Sequence, residues 1–161
     1  MFTRQLPHLT VNGSRGEAHV EPGRGRARRS YGVELPASYL AFLAEVGPGD
    51  LGGFLHFPPV TALQTHRERL LPFLDVDLEA LLAPTGDVLV FADSVNGDMC
   101  GWSLKSLRRG GEVPVVCVND FEGREVAPSF RALLERLTAG DDLFGVGALL
   151  PTYTRVQEPT R

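Results

Sequence analysis

The stretch VFADSVNGDMCGWSL, residues 90–104, decides how this chain folds. It crowds two aspartates, an asparagine, a cysteine and a tryptophan around one Asn-Gly pair. A metal loop, a nucleophile with its acid, and a β-hairpin with a purely geometric role all compete for it. Asn96-Gly97 between two runs rich in β-branched and apolar residues is the strongest short-range hairpin signal, because both residues tolerate the positive φ of a type I′ turn. On that reading Val88, Val90 and Ala92 take one face of a strand, and Leu89, Phe91 and Asp93 the other. An EF-hand calcium loop needs oxygen ligands at its first, third and fifth positions and glycine at its sixth. Counted from Asp93, the third and fifth positions hold Val95 and Gly97, so the metal reading fails on spacing. A nucleophilic Cys100 would need a histidine base, and of the four histidines only His56 and His66 lie outside the N-terminal arm. A mid-strand cysteine is far more often a small buried hydrophobe. The stretch predicts a hairpin, and no metal or cofactor is expected.

Upstream, ELPASYLAFLAEVG places Tyr39, Phe42, Leu43 and Val46 at i, i+3, i+4 and i+7, one apolar helical face. Pro36 suits the first turn of that helix, and Gly47 suits a left-handed stop. GPGDLGGFLHFPPV reads as a glycine-rich turn and a short strand around Phe54 to Phe57, ended by two prolines. Leu63, Leu70, Leu71 and Leu74 give a weaker helical face interrupted by Pro72, and DVDLEALLAP a further short helical turn. Downstream of the hairpin, EVPVVCVND reads as a third strand. PSFRALLERLTAG then sets Phe130, Leu133, Leu134 and Leu137 on one helical face and ends at Gly140. The closing DDLFGVGALLPTYTRVQEPTR predicts at most an edge segment before a polar tail. Helix, strand, helix, three consecutive strands, helix is not βαβ alternation. The fold class expected is α+β, with a mostly antiparallel sheet of about four to six strands packed against helices.

With 161 residues, 43% hydrophobic and 22% charged, the chain has the composition of one ordinary globular domain. No run of about 18 apolar residues occurs, so no membrane span is expected. The N-terminus lacks a charged-then-apolar signal pattern, so the expectation is a cytoplasmic protein. Cys100 and Cys117 are too few for a disulfide scaffold and are expected as reduced, packed thiols.

The net charge of -4 conceals an asymmetry. Up to Tyr31, six arginines face Glu17 and Glu21, a balance of +4 that leaves -8 for the rest. Residues 1–32 are therefore expected as a flexible Arg/Gly-rich arm, 33–150 as the folded domain, and 151–161 as a polar tail. The run GRGRARR has no interleaved aromatics to stack bases, so nucleic acid is not expected as a partner. An acidic body attracts a basic one.

Taken in order, ELPASYLAFLAEVG, GGFLHFPP, VLVFADSVNGDMCGWSL, VPVVCVND and VAPSFRALLERL resemble the SUKH superfamily of Smi/Knr-like domains. The matching positions are Leu35, Pro36, Tyr39, Phe42, Gly47, Asn96, Gly97, Asp98, Trp102, Ser129 and Phe130, within roughly residues 33–140. Members usually carry a helix with a glutamate just before the Leu-Pro start, where this chain has EPGRGRARRSYG, a poor helix former. The resemblance implies a protein-binding module that is not an enzyme. Bacterial members are best known as immunity proteins that bind a delivered toxin, often a nuclease, and fungal relatives act as regulatory hubs. An arginine-rich chain with Lys105 as its one lysine suggests a GC-rich bacterial gene. The implied partner is a basic toxin domain, and the alternative is a scaffold or regulatory module for an endogenous protein.

Asp98, Trp102, Asp120 and Glu122 are the residues expected to meet that partner. The hairpin end and the VNDFEGRE turn could cluster carboxylates beside an aromatic anchor. Three have a second reading: a lone strand tryptophan such as Trp102 is more often core, and Asp98 and Asp120 read equally as turn caps.

Overall fold

The computed structural model describes residues 2–73, 80, 87–119 and 122–156. In chain order these form β1 (Thr10–Asn12), α1 (Val20–Tyr31), α2 (Ala37–Glu45), β2 (Gly49–Leu51), β3 (Leu55–Phe57), β4 (Gln64–Thr65) and α3 (His66–Leu70). There follow β5 (Val88–Ser94), β6 (Met99–Ser103), α4 (Leu104–Leu107), β7 (Val115–Asn119), β8 (Glu122–Ala127), α5 (Phe130–Thr138) and β9 (Thr152–Arg155). The expected α+β class holds. Among the described residues the sheet has nine strands, more than expected, in the order β1-β9-β2-β3-β5-β6-β7-β8 with β4 beside β5. Every pairing is antiparallel except β1 with β9. Four of the extra strands are segments of two to four residues, too short for a period-two pattern to register, and the fifth, β8, is polar and exposed over its first four residues and so shows no alternation.

The two principal helices form as their periodicity predicts. Helix α2 starts after Pro36 and stops at Gly47, whose φ is 86°. Its N-terminal amide at Ser38 donates to Glu112 Oε1 at 2.8 Å, and the Ser38 hydroxyl donates to Oε2 at 2.7 Å, so the β6–β7 connection caps α2 from outside. Ser129 caps α5 by accepting from Ala132 N at 3.1 Å. The weak leucine pattern of residues 60–74 yields only α3 between two 3-10 turns, started by a Thr65/Glu68 capping box. The helical turn expected in DVDLEALLAP lies almost wholly outside the described residues.

Tyr39 and Phe42 of α2, Phe130 of α5, and Phe57, Phe91, Trp102 and Tyr153 of the sheet are at most 1% exposed. Their rings meet at 4.4 to 6.4 Å, with Phe130 within 5.3 Å of Tyr39, Phe42 and Phe91. Truncating one such ring typically costs about 3–5 kcal/mol.

Both expected ends of the domain are corrected. Residues 2–32 are not a loose arm: Phe2, Leu6 and Ala27 are buried in the core, and Arg131 lies over the Phe2 ring at 5.2 Å. Most of EPGRGRARRSYG lies within α1, in the place where the family pattern has a helix. Pro22 is tolerated there because it lies in the first turn, and Gly23 lets the helix lie directly on Val60. The expected polar tail contains β9, an interior strand between β1 and β2, with Tyr153 buried and its hydroxyl donating to Gly47 O at 2.7 Å. Composition failed at both ends because a few apolar anchors outweigh many arginines once a preformed core can receive them.

Candidate protein-interaction surface

The decisive hairpin forms between β5 and β6, with a different turn from the one expected. Ser94 N donates to Asp98 O at 2.8 Å and Gly97 N to Ser94 O at 3.1 Å, so the loop is the three residues Val95, Asn96 and Gly97. Gly97 has φ 88°, while Asn96 is not in the left-handed region. This is the three-residue hairpin, a turn closed by a left-handed glycine, rather than type I′. Val95 is consequently pushed to the apex and is 73% exposed.

Asp98 is buried beneath that turn. Its Oδ2 accepts from the Ser94 hydroxyl at 2.9 Å and its Oδ1 from Asn119 Nδ2 at 2.9 Å. The Ser94 oxygen in turn accepts from the amides of Asn96 and Asp98. Asp98 therefore staples the β5–β6 turn to the end of β7, and the turn-cap reading holds for it. Glu122 stands exposed at the start of β8, paired in register with Asn119. Asp120 lies outside the described residues. Trp102 is corrected as an anchor: it is fully buried, 4.4 Å from Phe91 and 5.0 Å from Tyr39, and offers a partner no surface in this conformation. So Asn119 stands between Asp98, which it bonds, and Glu122, its partner in register, while Trp102 is left inside.

The cysteine reading is also settled by geometry. Residues 100 and 117 face each other directly across β6 and β7, with Cα atoms 4.2 Å apart, and form a disulfide. The expectation of reduced thiols is thereby corrected: strand register, invisible in sequence spacing, brings them together. His56 pairs with Asp93, and Cys100 with Ala92, so the two side chains point to opposite faces of the sheet. On its own face His56 Nδ1 lies 3.1 Å from Asp50 Oδ1, and Arg69 donates to Asp93 at 3.1 Å. His66 is buried, accepts at Nδ1 from Val88 N at 3.2 Å, and has its pKa lowered below 6.5 chiefly by burial.

Sequence reasoning missed the apolar side chains at the same end of the sheet. Phe54, in the β2–β3 turn, accepts from Val95 N through its carbonyl at 3.1 Å and places its ring 5.4 Å from Phe144. The loop 141–150 runs along these turns; Gly52 packs so closely on Leu150 that a Cβ there would lie 2.9 Å from the Leu150 oxygen. Leu150 is 70% exposed and Val146 45%. The loop winds around its own carboxylate: Val146 N donates to Asp142 Oδ1 at 3.0 Å. Amides of Gly147, then Val146, Gly145 and Phe144, hold the Asp142 carboxyl below its ordinary value of 3.8. Gly145 and Gly147, at φ 71° and 87°, allow that winding. The legible signal was Val95 itself, a lone valine inside the polar run Ser94 to Asp98, together with apolar residues in LFGVGALL that follow neither a helix nor a strand period.

Among the described residues, no group of three His, Cys, Asp or Glu side chains is arranged to hold a metal ion, and no helix is long and apolar enough to cross a membrane. Comparison with curated proteins and with solved structures found no match. The family model that describes the SMI1 / KNR4 family (SUKH-1) matches residues 26–136, from the second half of α1 through most of α5, and so covers strands β2 to β8 with the helices between them: the chain belongs to that family.

Proposed function

We propose that this protein is an immunity protein: it binds a basic toxin domain one-to-one in the cytoplasm and blocks it without catalysing a reaction. The observation that carries the reading is the family match over residues 26–136, because the resemblance to bacterial SUKH domains brings toxin binding with it. Charge supports it. A toxin acting on nucleic acid must be basic to hold phosphate, and an acidic inhibitor gains association rate and specificity against it. Against the rival enzyme built on Cys100 stand the full burial of that side chain and the position of His56 on the opposite sheet face.

The test is a tagged pull-down from the native host across a salt gradient, followed by co-expression of the captured protein with this chain. One basic partner at equal stoichiometry, toxic alone and harmless when co-expressed, is the expected result. A spread of housekeeping partners with no toxicity to relieve would replace immunity by a scaffold function.

A further inference from the structure

We propose that the ridge formed by Phe54, Val95, Phe144, Val146 and Leu150 is the docking surface, and that its occupant is a cationic segment of the protein partner with apolar residues at its centre. The proposal rests on the protein-binding reading above and names the surface that carries it out.

Three observations converge on this ridge. Val95 and Leu150 are 73% and 70% exposed, yet neither belongs to a loose segment. Val95 is fixed by the Ser94–Asp98–Asn119 network, and the Leu150 backbone by its close packing on Gly52. Apolar side chains held rigidly in water gain most from a partner, because little ordering entropy remains to be lost on binding. Second, the ridge is continuous: Val95 bonds to the Phe54 carbonyl, the Phe54 ring packs on Phe144, and the wound loop sets Val146 beside it. An apolar centre of this kind with a polar rim is the usual composition of an interface hot spot.

Charge selects the occupant. The β5–β6 turn, the start of β8 and the loop 141–150 bring to this end of the sheet the carboxylates of Asp98, Glu122, Asp141 and Asp142 and the guanidinium groups of Arg124 and Arg136. Arg136 pairs with Asp141, which leaves Asp98, Glu122 and Asp142 against Arg124, itself bonded to the Leu143 carbonyl. The rim is net negative and the centre apolar. A second copy of this chain would bring the same carboxylates against themselves, whereas a lysine- or arginine-flanked apolar segment complements both features.

The experiment uses the intact protein and a short peptide of alternating lysine and leucine as probe, followed by two-dimensional amide NMR. The expected result is shift changes concentrated at 52–54, 95–98 and 144–150, with affinity falling as salt rises. The double variant Val95→Ser, Leu150→Ser should weaken binding by roughly tenfold or more while leaving the rest of the spectrum in place, since both side chains are already in water. A lysine-serine peptide should bind far more weakly. Shifts confined to α1 or to the Asp50–His56 face, equal binding of the serine peptide, or no binding at all would each overturn the proposal. A toxin that still co-purifies in those cases leaves the immunity reading standing on another surface, so the two failures are distinguishable.

Discussion

At the hydroxyl of Tyr39 and the indole Nε1 of Trp102, two buried polar atoms have no hydrogen-bond partner among the described residues. Both side chains are fully buried, and desolvation alone drives the Tyr39 pKa far up. A buried polar group left unpaired costs about 1–3 kcal/mol, so Tyr39→Phe, which removes the hydroxyl and keeps the ring, should raise stability by about 1 kcal/mol. A urea melt decides it: a lower midpoint for the variant would mean that the hydroxyl has a partner. The same residues show how far a sequence can be read at this scale. Tyr39 and Phe130 were legible as core because a helical period points them one way. Trp102 was legible as core only from its residue type, because β5 and β6 are buried on both faces: Val88 and Val90 are as buried as Leu89 and Phe91, and no alternation marks the inner side. Asp98 read equally as cap or contact until the Asn119 amide was placed 2.9 Å from it.

At the scale of elements, α1 is the least legible and the most instructive. Glycine costs about 0.5–1 kcal/mol against alanine in a helix, and α1 carries two. Their surroundings predict opposite outcomes. A Cβ on Gly23 would lie 2.3 Å from Val60 Cγ2, and overpacking of that kind costs about 1–3 kcal/mol, more than the propensity gain. A Cβ on Gly25 would meet only the flexible end of Arg29, at 3.0 Å. Gly23→Ala should therefore lower the melting midpoint and expose the arginines of α1 to trypsin, while Gly25→Ala should raise stability by up to about 1 kcal/mol. Equal effects from both would show that α1 does not dock on Val60. Tertiary packing, not local propensity, makes this helix, which is why composition suggested a flexible arm. The β6–β7 clip makes a third prediction. A disulfide closing a loop of this order contributes about 3 kcal/mol by restricting the unfolded chain, so reductant should lower the urea midpoint. Unchanged midpoints would mean that the thiols are unpaired in solution. If the protein works in the cytoplasm, where thiols are kept reduced, the reduced form is the one whose stability matters.

Over the whole molecule, the basic N-terminal segment is tied to the acidic body on folding. Arg28 pairs with Glu34 through two bonds, Arg26 donates to the Leu63 carbonyl and Arg15 to the Ala44 carbonyl, so the arginines secure the N-terminal segment to the domain. A buried histidine adds a pH-dependent contribution to stability near neutrality. His66 is fully buried, its Nδ1 accepts from Val88 N, and burial lowers its pKa below the ordinary 6.5. A depressed histidine pKa means that the unfolded chain takes up the proton first. The His66 contribution is therefore complete above pH 6.5, and is lost as the pH falls from there toward the folded-state value. His66→Asn is the control, because the amide oxygen can take the place of Nδ1 as acceptor to Val88 without titrating. The wild-type protein should lose urea stability between pH 7.5 and 5.5 more steeply than the variant. Parallel slopes would show that His66 is protonated in both states or in neither.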